Sequence, residues 1–80
     1  MDMRDVVTKY RAAAGGYGKL VPMSALGISR EETEKVFDAL DEDYHISRFF
    51  HFANAAGASY SINGFPQTHV SIDSEIEEIL

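Results

Sequence analysis

The spacing of apolar positions changes along this chain, and the changes divide it into elements. Met3, Val6, Val7, Tyr10, Ala13 and Ala14 recur at intervals of three and four, which is the spacing of one face of an α-helix. Asp2 suits an N-cap, and Gly15-Gly16 supplies residues tolerant of the positive φ that ends helices. The pattern predicts a helix over 3–14. Residues 17–21 predict a short extended segment, because the residue before Pro22 is biased away from the α region. Pro22 then suits the first turn of a short helix over 22–26, closed by Gly27. Ser29-Arg30-Glu31-Glu32 has the form of a capping box. In that motif the serine hydroxyl accepts from the main-chain N–H three residues on, and the glutamate reaches back to the serine amide. The helix that follows carries Thr33, Val36, Phe37, Leu40 and Tyr44 on one stripe.

After Tyr44 the period shifts to two. Ile46, Phe50 and Phe52 share one face of a predicted strand, interrupted by Arg48, while His45, Ser47, Phe49 and His51 take the other. Phe49 leaves two arrangements open. It sits outside between two histidines as an aromatic anchor for a partner protein, or Arg48 marks a bulge and both Phe49 and Phe50 are buried. Residues 54–58 predict a turn, and 59–63 alternate again with Tyr60 and Ile62 inward. Residues 63–67 form a second turn or loop, and 68–72 a third strand. Asp73 or Ser74 caps a final helix, 74–80, containing Ile76, Ile79 and Leu80. A helix of two turns needs something to pack on. It lies on its own domain, or it serves as an assembly segment where the chain continues or pairs with a second copy.

Eighty residues make a single domain, 1–80. A chain this short buries only about 60–65% of its unfolded surface. It has no cysteine, so neither a disulfide nor a thiolate zinc site supplements the core. The apolar fraction of 45% and nine aromatics are enough for a packed interior. The start lacks a basic and then apolar leader pattern, and no apolar run approaches the ~20 residues that span a bilayer. A soluble cytoplasmic protein without a membrane partner is expected.

The order of elements is helix, short strand, short helix, turn, longer helix and hairpin. With Lys19-Leu20-Val21-Pro22-Met23-Ser24-Ala25-Leu26-Gly27-Ile28-Ser29 and then Glu32 to Leu40, the chain resembles the winged helix-turn-helix superfamily over about two thirds of its length. In that family an "LGIS" turn joins the second helix to the recognition helix. Here the turn is Leu26-Gly27-Ile28-Ser29, with Gly27 at the bend and Ile28 plugging the core. Met23 stands where the family often has alanine, and Thr33 where it often has an aliphatic residue. The resemblance implies an α+β, winged-helix-like fold: three helices with a β-hairpin or small antiparallel sheet, followed here by the short C-terminal helix.

Charge separates that fold from its best-known use. The formal net charge is −6, and with the four acids of the last eight residues set aside, nine acids still face seven bases. Such a balance disfavours nonspecific attraction to nucleic acid or anionic membrane. Recognition helices expose Arg, Lys, Asn, Gln or Ser to bases and phosphates. At 100° per residue, the helix after the Gly27 turn turns Glu31, Glu34, Lys35, Asp38 and Glu42 away from its core stripe, with Asp41 at the margin. Residues 29–43 hold seven acids and two bases. Glu31 and Glu32 complement the helix dipole, and Glu31 with Lys35 forms an i, i+4 pair worth about 0.3–0.5 kcal/mol. The later acids gain nothing from the dipole. They form either a docking face for a basic partner or an ordinary solvated surface.

Three histidines raise the question of metal. His45 and His51 stand six residues apart on the predicted strand, roughly 20 Å, too far to share an ion, and His69 can pair with only one of them. Gly15-Gly16-Tyr17-Gly18-Lys19 lacks the first glycine and the Ser/Thr of a phosphate loop and follows a helix rather than a strand. No nucleophile elbow is present. The expectation is a protein with no enzymatic activity, metal, cofactor or small-molecule substrate, acting as a protein-interaction or assembly module with a protein partner or as a homodimer. The candidate contact residues are Glu34, Asp38, Asp41, Glu42, Phe49, Ile76, Ile79 and Leu80. The alternative is a DNA-binding transcriptional regulator with a dimeric or accessory basic surface, in which Arg30, Lys35 and Arg48 make the contacts.

Overall fold

Helix α1 (Met3–Ala14) forms where the periodicity places it. The Asp2 carboxylate accepts from the Arg4 N–H at 2.9 Å. Gly15, at φ 72°, ends the helix in the left-handed region and donates its N–H to the Arg11 carbonyl at 2.8 Å. Val6, Val7, Tyr10 and Ala14 turn inward, while Ala13 is exposed. The Tyr10 ring is wholly buried, so its hydroxyl requires partners. It donates to the Lys19 carbonyl and accepts from the Lys19 N–H at 3.1 Å, tying the segment after α1 back onto the helix.

The computed structural model describes residues 2–54 and 68–80. The expected turn at 54–58, apart from Asn54, and the expected strand at 59–63 and loop at 63–67 lie outside the described residues. Strand β1 (Val21–Pro22) leads into a 3₁₀ turn, Met23–Leu26, in place of the expected short α-helix. Gly27, at φ 68°, then turns the chain into α2 (Arg30–Glu42). The capping box is complete: the Glu32 N–H donates to the Ser29 hydroxyl at 3.1 Å, and the Ser29 N–H donates to the Glu32 carboxylate at 3.3 Å. Val36 and Leu40 are the buried positions of this helix.

Helix α2 stops short of Tyr44. Asp43 takes an extended conformation, φ −127° and ψ 95°, and its carboxylate accepts from the His45 N–H at 3.0 Å. It thereby N-caps a new single-turn helix, α3 (Tyr44–Ser47). The break ends the apolar stripe, so Tyr44 is 76% exposed rather than in the core. The predicted strand from Ile46 onward is corrected too, since extended backbone begins only at β2 (Phe50–Ala53). Phe49 occupies the turn between α3 and β2, donates its N–H to the Ile46 carbonyl, and is buried under the Arg48 guanidinium, 4.6 Å above its ring. Phe49 and Phe50 are both buried, as in one of the two arrangements left open, but through the turn after α3 rather than a bulge at Arg48, and the exposed anchor is withdrawn.

Strand β3 (His69–Ile72) lies between the other two in an antiparallel sheet of order β1-β3-β2. Val21 pairs with Val70 on one side, and Phe50 with Ile72 and Phe52 with Val70 on the other. After β3, Ser74–Glu78 form a 3₁₀ helix whose Ile76 is fully buried. The C-terminal segment therefore packs on its own domain, and Ile76 is removed from the candidate contact residues. Ile79 remains 43% exposed and Leu80 is half-buried. The described chain is an α+β domain of three α-helices and a small three-stranded antiparallel sheet. Its core joins Val6, Val7 and Tyr10 of α1 to Leu26, Val36, Leu40, Phe49, Phe50, Val70, Ile72 and Ile76. No helix among the described residues is long and apolar enough to cross a membrane.

Two substitutions test this packing in urea denaturation. Tyr10→Phe strands the Lys19 groups and is expected to cost about 1–2 kcal/mol. Ile76→Ala opens a cavity in the core and is expected to cost about 2–5 kcal/mol. A C-terminal turn that served only as a seam between copies would leave the monomer's stability unchanged by Ile76→Ala.

Candidate protein-binding site

The break at Asp43 builds a surface hollow. Phe37 and Leu40 project from α2, Tyr44 and Ser47 from α3, and Phe50 and Phe52 from β2, around a depression of about 440 Å³ with Asp41 on its rim. The Phe37 and Phe52 rings lie 4.9 Å apart at 48° and are only half-buried. Phe52 also stacks toward Phe50, with centroids 6.4 Å apart. Leu40 and Phe50 belong to the core beneath. The floor is therefore continuous with the interior, and Tyr44 stands on the edge with most of its surface in water.

The sequence-predicted residues divide between two places. Glu34, Asp38, Asp41 and Glu42 are all exposed on α2. By helical spacing Glu34, Asp38 and Asp41 run along one flank of the helix beside Phe37, and Glu42 lies further round. Only Asp41 borders the hollow itself. Leu80 belongs to a second depression, of about 300 Å³, with Arg4, Val7, Thr8, Arg11 and Glu77. The cation of Arg11 is already engaged there: it pairs with Glu77 at 3.1 Å and lies 5.4 Å from the Tyr17 ring. Arg30 and Lys35 are exposed among the acids of α2, while Arg48 lies over Phe49 at the start of β2. Sequence reasoning missed Phe37, Tyr44 and Phe52 as one surface. The available signal was Asp43, a capping residue inside an unbroken apolar stripe.

The histidines take separate partners. His51 Nε2 lies 2.9 Å from the Asp73 carboxylate, and His69 Nδ1 lies 2.8 Å from the Thr68 hydroxyl. Among the described residues no three His, Asp or Glu side chains gather as a metal would require. Among the described residues two groups are electrostatically perturbed. Hydrogen bonds from the Ser29 main chain and hydroxyl hold the Glu32 carboxyl below its ordinary value of 4.5. Burial, with the Glu77 carboxylate nearby, raises the Tyr17 phenol above its ordinary value. The Tyr17 oxygen is itself enclosed without a well-formed hydrogen bond.

Comparison with known proteins returns no match: no family model fits the chain, and no curated protein or solved structure is similar to it.

The capping box carries a pH dependence. Because the folded pKa of Glu32 is depressed, its contribution is present above the unfolded value and is lost as pH falls from about 4.5 through the folded pKa. Carboxyl NMR titration is expected to place the Glu32 midpoint lower in the folded protein than in the denatured chain. Glu32→Gln is expected to flatten the acid limb of the stability curve.

Proposed function

We propose that this chain is a protein-interaction module on a winged-helix-like frame, and that it does not read DNA with the helix after its turn. The frame is supported by the order of elements and by the short β1 joining the sheet beside β3, on the side away from β2. The Gly27 turn and the complete capping box that launch α2 support it as well.

One observation carries the functional reading. The exposed surface of α2 presents Glu31, Glu34, Asp38, Asp41 and Glu42 with two bases, Arg30 and Lys35, among them. In a DNA groove these carboxylates would face phosphate oxygens, and five acids outnumber the two bases available as phosphate donors. Arg48, the basic residue nearest the hairpin, lies over a phenylalanine ring. For a protein partner the same face sets charged residues beside exposed aromatic surface, and an apolar patch rimmed by polar residues is the mark of an interaction site.

Fluorescence anisotropy with a labelled random-sequence duplex tests this reading. At low salt and micromolar protein no binding is expected, and Lys35→Ala and Arg48→Ala are expected to change nothing. Micromolar binding that weakens steeply with salt and is lost in either variant would overturn the reading in favour of a DNA-binding regulator.

A further inference from the structure

We infer that the hollow between α2, α3 and β2 is the docking site for a basic amphipathic segment of a partner protein, which inserts an apolar side chain against Phe37 and Phe52 while its lysines or arginines meet the acids of α2. This inference rests on the interaction-module reading and names its partner's chemistry.

The floor and the rim select different halves of such a ligand. Phe37 and Phe52 are half-buried with their rings in contact, and Tyr44 stands 76% exposed beside them. This is apolar surface that the domain's own chain leaves uncovered among the described residues. A depression of about 440 Å³ accepts the apolar face of a partner segment, as in helix-in-groove recognition. Along its α2 side, Asp41 is followed by Glu34 and Asp38 at i, i+3 or i+4 spacing. The residues C-terminal to Asp41, Glu42 and Asp43, are acidic too. The flank is therefore negative along the C-terminal two thirds of α2.

That charge decides between occupants. A second copy of this chain, at net −6, would set one acidic flank near another, and like charges brought together suppress association. A basic segment gains on both counts, since its cations meet carboxylates while its apolar side chain covers the rings. Charge-driven encounter and apolar anchoring make separable contributions, the first screened by salt and the second largely indifferent to it.

The test uses a model amphipathic helix of leucine and lysine, about four turns long, and its counterpart with glutamate in place of lysine. Each is titrated into isotope-labelled protein, with amide and aromatic NMR shifts as the readout. The lysine peptide is expected to move the resonances of Phe37, Tyr44 and Phe52, and to bind more weakly as salt is raised. Tyr44→Ala is expected to weaken it about tenfold, and Asp41→Lys about fivefold or more. Both positions are exposed, so the amide spectra of the variants should retain the wild-type pattern. Glu78→Lys reverses the same charge away from the hollow and should change affinity less than about twofold.

Several results would overturn the inference. They are equal binding of the glutamate peptide, small shifts spread over all acidic positions and insensitive to Tyr44→Ala, and no binding at millimolar peptide. Concentration-dependent self-association through Tyr44 would replace the basic partner with a second copy. Shifts centred on Leu80 and α1 would refute this site and leave the interaction-module reading standing, whereas duplex binding through Lys35 or Arg48 would remove both.

Discussion

Strand β3 holds hydrogen bonds along both of its edges, and it is the only strand of the described sheet to do so. On one side Gly18 donates to the Ile72 carbonyl at 3.0 Å and Met23 to the Thr68 carbonyl at 2.9 Å. On the other, Asp73 donates to the Phe49 carbonyl at 3.0 Å. Val70 and Ile72 are essentially unexposed and belong to the hydrophobic core. Four residues near the end of the chain therefore connect segments some fifty and twenty residues earlier in sequence. Each of those loops costs entropy to close, which the burial of Val70 and Ile72 helps to offset. Ile76, in the turn directly after β3, completes the same interior.

With the interior closed by β3, the far side of α2 is released from structural duty, and the hollow occupies that freed ground. Its floor shares Leu40 and Phe50 with the core, so the apolar surface is held in place by packing that the fold needs anyway. The rim differs: Asp41, Tyr44 and the acids beyond them are exposed. A rigid apolar floor with a solvated charged edge is the usual anatomy of a binding patch.

Much of this was legible in the sequence wherever the determining interactions were local. Helix α1, its Asp2 and Gly15 caps, the Gly27 turn and the Ser29–Glu32 capping box all depend on residues within a turn of one another, and each stands where spacing placed it. The acidity of the exposed face of α2 was equally readable, because helical phase alone determines which residues share a flank. The errors fall where a short-range signal met a competing one. Periodicity carried α2 through Tyr44, whereas the Asp43 carboxylate caps the next turn and breaks the stripe. That extra turn rotates everything up to Phe50 out of strand phase, which is why Phe49 is buried. The pairing of β2 with β3, and the inward seat of Ile76, depend on contacts distant in sequence that no local pattern encodes.

Asp43 ends one helix through its N–H and begins another through its carboxylate. Tyr44, the residue after it, would by spacing belong to the interior, yet it stands in solvent. Side chains at Tyr44 and along the acidic flank are exposed, so exchanging them leaves the core closed. Tolerance of substitution is thereby concentrated where one short aspartate interrupts a helix.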